Sequence, residues 1–225
     1  RLFRQHLGAA PVSVAQTRRV LLAKALIHQS RLSIAEVALA SGFGSIRRFN
    51  ETFQALYGRP PSALRRQRAG TDDSVGSVRL TLPYREPLDR LTMLDALKRR
   101  GDAVRDGEWS RPLCPLIDAS EGEVRVRFGG PGQVGVQATL SNLKALPTIL
   151  SRVRRVFDLS ADPEAIGRDL SADPVLAPLV AARPGLRLVG SWQDEAPDLA
   201  SDRLAMDGLA ARAEGWRPWR AYGLA

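Results

Sequence analysis

Residues 33–65 contain two serines that can each cap the start of a helix, Ser33 and Ser45, and two glycines between them. This arrangement predicts two short helices joined by a tight turn. Ser33 is a favoured helix N-cap, and Glu36 three residues later completes a capping box. The apolar pattern stops at residues 41–44, SGFG, whose glycines permit the positive φ angles of a tight turn. We therefore predict a short first helix, a sharp turn, and a second helix that Ser45 caps.

The second predicted helix has one apolar face and one polar face. Phe49, Phe53 and Leu56 recur at i, i+4 and i+7, which is the spacing of a buried helical face. The opposite face carries hydrogen-bonding side chains: Arg47, Arg48, Asn50, Glu51 and Gln54. Gly58 is predicted to end the helix, and the prolines that follow prevent its continuation. Two short helices joined in this way are typical of a helix-turn-helix that inserts its second helix into a DNA major groove.

A generic helical hairpin with a solvated arginine face would show the same periodicity, so the charge distribution separates the two interpretations. Residues 1–70 contain 12 Lys and Arg side chains against two acidic ones, Glu36 and Glu51, a balance of +10. Residues 71–225 have a balance of −1. A general basic bias would not be confined to one third of the chain. The confined excess favours a module that binds a polyanion such as nucleic acid.

Several motifs at fixed spacing resemble the second helix-turn-helix of AraC-type transcription regulators. They are Glu36-Val37-Ala38, Ser41-Gly42-Phe43-Gly44-Ser45, Phe49 with Phe53, Gly58-Arg59-Pro60-Pro61, and Arg65. The resemblance implies that this module binds double-stranded DNA, and RNA polymerase is a further candidate partner. We expect base-edge contacts from Ile46, Arg47, Arg48, Asn50 and Glu51, and phosphate contacts from Ser45 and Arg65. Arginine suits guanine, and asparagine suits adenine.

Regulators of this type carry two helix-turn-helix units, and the start of this chain resembles the end of the first. Residues 1–11 read as the tail of a recognition helix with its glycine-proline stop. Residues 12–29 are predicted to form the helix that joins the two units. The predicted DNA-binding domain is therefore 1–66, with its first unit truncated, and the polar stretch 67–76 is predicted to be a linker.

The hydrophobic period changes after the predicted linker. Val78, Leu80 and Leu82 alternate as in a half-buried strand, and residues 124–128 and 134–138 alternate on either side of a glycine-rich turn. Helices are predicted from Pro87, with Leu88, Leu91, Leu94 and Leu97 apolar, and from Pro147. Asp-Pro pairs at 162–163 and 173–174 predict two short helices, 164–170 and 175–182. The order predicts an α+β fold, in which helices lie on one side of an antiparallel sheet.

A second group of motifs resembles AlkA-type alkyladenine DNA glycosylases. They are Leu82-Pro83-Tyr84, Arg111-Pro112, Phe157-Asp158-Leu159, Asp162-Pro163, the ARPGLR segment 182–187, and the AEGWRPWRAY segment 213–222. The resemblance implies that residues 77–160 form the small TBP-like N-terminal domain of those enzymes and 161–225 a helical remnant of their core. An AraC-type module ahead of this domain resembles adaptive-response regulators that are fused to a glycosylase.

The helix-hairpin-helix of those glycosylases, with its signature LxGIGxWTA, is missing between the last two motifs. Asp202 lies in a segment that resembles the one carrying the family's catalytic aspartate. The resemblance implies that Asp202 stabilises an oxocarbenium-like sugar or helps to activate water. The alternative is that Ser201 or Asp202 caps a helix. Trp216 and Trp219 are likewise either stacking surfaces or buried helix anchors.

Three hypotheses follow. The chain is a DNA-binding regulator of the alkylation-damage response, or a glycosylase that excises alkylated purines. The third hypothesis is that it is a fragment, the product of a damaged gene or a spliced sequence, which is compatible with the first. The single cysteine, Cys114, excludes an intramolecular disulfide, and no metal-ligand cluster or phosphate-binding glycine loop is visible, so we expect no cofactor or metal. No apolar run is long enough to span a membrane, and we expect a bacterial cytoplasmic protein.

Overall fold

The computed structural model describes residues 8–65, 76–193 and 215–223. The chain divides into two compact units. The first comprises Arg1–Thr81, Arg111–Arg125 and Gly135–Ile149, and the second comprises Leu82–Ser110, Val126–Val134 and Leu150–Ala225. The domain boundaries at 66, 76 and 160 that the sequence suggested stay predictions.

Within residues 8–65 the structure has three helices and a 3₁₀ turn: α1 (Pro11–Gln29), α2 (Ile34–Ala40), α3 (Ile46–Tyr57) and the turn Pro61–Leu64. The predicted capping box of α2 is confirmed, because Ser33 Oγ accepts from the Glu36 N–H at 3.2 Å and Glu36 Oε2 accepts from the Ser33 N–H at 2.7 Å. Gly42 supplies the positive φ of the turn, +83°, whereas Gly44 has no positive φ. One glycine therefore makes the turn, not two.

The predicted apolar face of α3 is right at two positions and wrong at the third. Phe49 and Phe53 are fully buried with ring centroids 5.5 Å apart, but Leu56 is 56% exposed. The half-buried Tyr57 continues this face instead, with its ring centroid 4.7 Å from that of Phe53 and the Lys24 ammonium 5.3 Å from its centroid. Leu56 lies in the last turn of α3, where α1 covers the Tyr57 side of the helix.

The ends of α3 are those the sequence predicted. Ser45 Oγ accepts from the Arg48 N–H at 3.2 Å, which caps the first turn. Gly58 adopts the left-handed conformation, and its N–H binds the Gln54 carbonyl at 2.8 Å. The helix is thus held at both termini and along one side.

In the described part of the chain, five strands form one antiparallel sheet in the order β1-β5-β4-β3-β2, and the α+β prediction is confirmed. The strands are β1 (Ser77–Pro83), β2 (Ala103–Arg105), β3 (Glu108–Leu113), β4 (Gly122–Phe128) and β5 (Gln133–Leu140). The predicted alternation is observed: Val78, Leu80 and Leu82 are buried in β1. The predicted hairpin of β4 and β5 is also present.

The hairpin of β2 and β3 was not predicted. Asp106 and Gly107 form its turn with φ angles of 50° and 74°, and Ala103 pairs with Ser110. An Asp-Gly pair is a strong hairpin signal because both central residues of such a turn need positive φ. The signal was missed because β2 has only three residues, too few to show a period.

Between residues 76 and 193 and in 215–223, the structure describes six further α-helices: α4 (Arg90–Arg99), α5 (Pro115–Asp118), α6 (Leu146–Val156), α7 (Pro163–Leu170), α8 (Ala177–Ala182) and α9 (Arg220–Gly223). The start predicted at Pro87 was wrong. Asp89 caps α4 by accepting from the Thr92 N–H at 3.1 Å, while its own N–H binds the Gly185 carbonyl at 2.9 Å. The predicted apolar position Leu91 is 78% exposed, and Met93 is buried in its place.

The Asp-Pro pairs have different roles. Asp162 caps α7 by accepting from the Ala165 N–H at 3.2 Å, as predicted. Asp173 instead accepts from the Val175 N–H at 2.8 Å, which makes a turn, and α8 begins only at Ala177. Within the described segments, no helix is long and apolar enough to span a membrane.

Exchanging Phe49 for alanine should destabilise the fold by about 3–5 kcal/mol, because it removes a fully buried ring and leaves a cavity. The matched control Leu56→Ala should change the free energy of unfolding by less than about 0.5 kcal/mol, because that side chain is mainly exposed. Denaturant unfolding followed by circular dichroism measures both. Equal losses in the two variants would contradict the observed face of α3.

Candidate nucleic-acid interface

The outer face of α3 gathers six of the seven residues predicted to contact DNA. Ser45, Ile46, Arg47, Arg48, Asn50 and Glu51 are all exposed. They stand opposite Phe49 and Phe53, whose burial fixes the rotation of the helix about its own axis. The surface is therefore a polar ridge of one helix, the shape that the major groove accommodates.

Arg47 and Glu51 form an ion pair on this ridge. Arg47 Nε donates to Glu51 Oε1 at 2.8 Å, and the side chains are 88% and 61% exposed. The pair spans one turn of α3 and points outward. Exposed ion pairs of this kind add little to stability because water and salt screen them, so both groups remain accessible to a binding partner.

Ile46 is the apolar residue of the ridge, 45% exposed at the start of α3. An exposed branched side chain at this place can contact a thymine methyl group in the major groove. Arg48 has its backbone N–H bound to Ser45, while its side chain is exposed. Asn50 lies one helical turn after Ile46, where its amide can pair with adenine.

Arg65 has a different environment from the other six residues. It follows the 3₁₀ turn, and its Nη2 donates to the Leu32 carbonyl in the loop between α1 and α2. This hydrogen bond connects the end of the helix-turn-helix to the loop that precedes it. The predicted phosphate contact of Arg65 stays a prediction, because the structure gives its guanidinium a partner within the chain.

A second notable cluster surrounds Arg187, which is 5% exposed. Its Nη2 donates to the carbonyls of Arg85 at 2.5 Å and Pro87 at 3.4 Å, while Nε and Nη1 have no hydrogen-bond partner among the described residues. Burial lowers the pKa of the Arg187 guanidinium, and the Asp158 carboxylate opposes that shift. A buried cation of this kind requires nearby carboxylates.

Asp158 is the carboxylate whose charge most affects Arg187. It adopts a left-handed φ of 44° and accepts a hydrogen bond from the Tyr222 hydroxyl. Burial raises the pKa of its carboxyl, and the Arg187 charge acts in the opposite direction. Arg85 also pairs with Asp162, so the motifs at 157–159, 162–163 and 182–187 meet around one buried guanidinium. We call Arg187, Asp158 and their hydrogen-bond partners the Arg187 centre, and we interpret its role as structural.

An apolar cavity of about 360 Å³ lies beside this centre. Its walls come from α7, α8, the 182–186 segment and Tyr222. Trp216 is 6% exposed in the neighbouring core, and its Nε1 donates to Asp173 at 2.9 Å. Trp219 Nε1 donates to Asp169 at 2.9 Å. Trp216 is therefore buried in the turn ahead of α9 and its ring is not available for stacking, whereas Trp219 is half-buried.

The family comparisons match both parts of the chain. A model of the AlkA N-terminal domain matches residues 79–193, and a model of a helix-turn-helix domain matches residues 1–67. The chain belongs to the AlkA N-terminal domain family. The resemblances to AraC-type regulators in the first part and to AlkA-type proteins in the second are thereby confirmed.

Three relatives resemble the chain. The probable bifunctional transcriptional activator/DNA repair enzyme AlkA of Mycobacterium tuberculosis, in strains CDC 1551 / Oshkosh and H37Rv, is 35% identical over 196 residues. These residues are 84% of this chain but 39% of each relative, so the chain spans about two fifths of their length. The HTH-type transcriptional regulator GlxA of Rhizobium meliloti strain 1021 is 40% identical over 67 residues, which are 30% of this chain and 21% of GlxA.

The predicted catalytic residue Asp202 lies outside the described residues. The segments of this AlkA-family chain that the structure describes contain no group of three or more His, Cys, Asp or Glu side chains that could hold a metal ion. The two clusters seen are thus the α3 ridge and the Arg187 centre. The sequence indicated the first through its periodicity, but the RPGLR motif gave no sign that its last arginine is buried.

The stability difference between the wild type and Asp158→Asn should depend on pH. Because the pKa of Asp158 is raised in the folded state, this state holds the proton more tightly than the unfolded chain. The stability that the carboxyl confers is fully present below the unfolded pKa, about 3.9, and is lost as pH rises through the folded pKa. The free energy of unfolding of the wild type minus that of Asp158→Asn should therefore fall between pH 4 and pH 7. Denaturant unfolding at each pH measures it.

Asp106→Asn is the matched control, because Asp106 also has a positive φ but is exposed at a hairpin turn. It reports the effect of the same exchange on a left-handed backbone without burial. Two results would contradict a pKa of Asp158 that burial raises. In one, the wild-type free energy of unfolding minus that of Asp158→Asn rises with pH. In the other, this difference equals that of the control variant at every pH.

Proposed function

We propose that this chain is a sequence-specific DNA-binding transcription regulator of the alkylation-damage response, linked to base-excision repair. The observation that carries the proposal is the outward ridge of α3, with Arg47, Arg48 and Asn50 exposed above the buried Phe49 and Phe53. The M. tuberculosis relative, named as both a transcriptional activator and a DNA repair enzyme, supports the link to repair.

The proposed mode of binding places α3 in the major groove. Five residues then lie near base edges, and two lie nearer the phosphates. The first set is Ile46, Arg47, Arg48, Asn50 and Glu51, and the second is Ser45 and Arg65. The basic residues of the same part of the chain add attraction to the DNA backbone that carries no sequence information. Arg18, Arg19 and Arg59 are exposed members of that set. The proposal divides the work between base reading on α3 and phosphate attraction around it.

The wider setting belongs to the same proposal. We take double-stranded DNA as the partner, RNA polymerase as a second one, and the bacterial cytoplasm as the location. The domain division at 1–66, 77–160 and 161–225 is part of it as well. In this arrangement the family domain accompanies the DNA reader on one chain and connects transcription to the repair of alkylated bases.

Replacing Arg47 by alanine should weaken binding to the preferred DNA sequence by about 1–3 kcal/mol if Arg47 reads a base. Binding to unrelated DNA should weaken much less, so the ratio of the two affinities falls. The sequence that the wild-type chain prefers is first selected from a random DNA pool, and affinities are then measured by fluorescence anisotropy at fixed salt.

Arg99→Ala is the matched control, because Arg99 is an exposed arginine at the end of α4 and its loss changes the net charge equally. It should leave the affinity ratio unchanged. If the two variants behaved alike, the reading of a base by Arg47 would be wrong. If the wild type selected no sequence at all, the proposed function itself would fail.

A second candidate function is excision of alkylated purines, which the match of residues 79–193 to the AlkA N-terminal domain favours. Asp202 would then be the catalytic carboxylate, and Asp202→Asn should abolish release of 3-methyladenine from methylated DNA. Chromatographic assay of the free base at high protein concentration measures this. Absence of release by the wild-type chain would dispose of this second function and leave the regulator proposal intact.

A further inference from the structure

The order of the two charges in the Arg47–Glu51 ion pair of α3 is not the order that stabilises a helix most. Arg47 precedes Glu51 by four residues, whereas acidic-before-basic is the order that stabilises helices more. Both side chains are exposed, so solvent screens their attraction. Since the pair contributes so little to helix stability, we consider instead how it restricts the conformations of the two side chains.

The contact restricts the arginine in a specific way. Arg47 donates through Nε, the nitrogen nearest the backbone, and Glu51 is the one described side chain that binds it. This contact leaves unused the outer edge of the guanidinium, which offers one N–H from each of the two terminal amino groups. A guanine presents two acceptors, O6 and N7, side by side in the major groove, and the end of a guanidinium matches them.

We infer that Glu51 is a positioning residue that holds Arg47 end-on for a guanine and does not itself contact a base. The inference deepens the proposed function and rests on it. Holding a flexible side chain in its bound geometry before association lowers the entropy that binding would otherwise cost. Glu51 also lowers the local positive charge, which weakens attraction to DNA of any sequence.

The inference predicts a distinctive pair of results for two variants of equal charge. Glu51→Gln keeps an oxygen that can accept from Arg47 Nε, whereas Glu51→Ala does not. Both remove a negative charge, so both should bind unrelated DNA more tightly than the wild type. Only Glu51→Ala should lose the preference for guanine at one base pair, by about fivefold or more. Circular dichroism before and after heating checks that both variants fold.

A double-mutant cycle on the full chain separates positioning from direct reading. The probes are the selected DNA and the same DNA with each base pair exchanged in turn, or with 7-deazaguanine replacing each guanine. If Glu51 acts through Arg47, Glu51→Ala should have no further effect on the affinity ratio once Arg47→Ala is present. The base pair that loses its preference should be the same in both single variants.

Other outcomes overturn the inference in distinguishable ways. A loss of preference at a different base pair, additive with Arg47→Ala, would show that Glu51 reads a cytosine directly. An unchanged preference in Glu51→Ala would show that the pair is incidental. In both cases the wild type still selects a DNA sequence, so the proposed function survives, whereas failure of the wild type to select any sequence removes both.

Discussion

Burial of the Phe49 and Phe53 rings decides which side of α3 meets solvent. The rings pack against each other and against Phe43, whose centroid is 5.2 Å from that of Phe49. Because side chains four residues apart share a helix face, burying these two necessarily turns Arg47 and Glu51 outward. The polar ridge is thus a consequence of an apolar contact on the other side of the helix.

At the Arg187 centre the buried group is a charge, in contrast to the buried aromatic rings of α3, and an apolar cavity lies next to it. The cost of removing a guanidinium from water is offset by carbonyl acceptors and by the facing Asp158 carboxylate. These partners come from separate parts of the second unit, so the buried cation joins them. Motifs that are scattered along the sequence are in this way explained by one electrostatic arrangement.

Much of the fold follows from local signals in the sequence. The Ser33 and Ser45 caps, the Gly58 stop and the alternation in β1 each act over a few residues, and each appears where the sequence indicated. Exposure of the α3 ridge was predictable for the same reason, because the period of a helix is a local property. The family assignment also came from short motifs at fixed spacing.

The errors arose where distant parts of the chain decide the outcome. Leu56 and Leu91 fit an apolar period, but within the described residues both side chains are mainly exposed. The start of α4 moved from Pro87 because a carbonyl almost a hundred residues later binds the Asp89 N–H. Burial of Arg187 and the engagement of Arg65 with Leu32 likewise depend on tertiary contacts that no periodicity records.

The carbonyl that binds the Asp89 N–H belongs to Gly185. The surroundings of Gly185 leave no space for any other amino acid. Its φ is +85°, and a Cβ there would lie 2.7 Å from the backbone of Pro87 and Leu88. Any change of its codon that alters the amino acid introduces a side chain into that space. Mutational drift at this position should therefore be suppressed far more strongly than at the surface prolines and arginines beside it, whatever the protein binds.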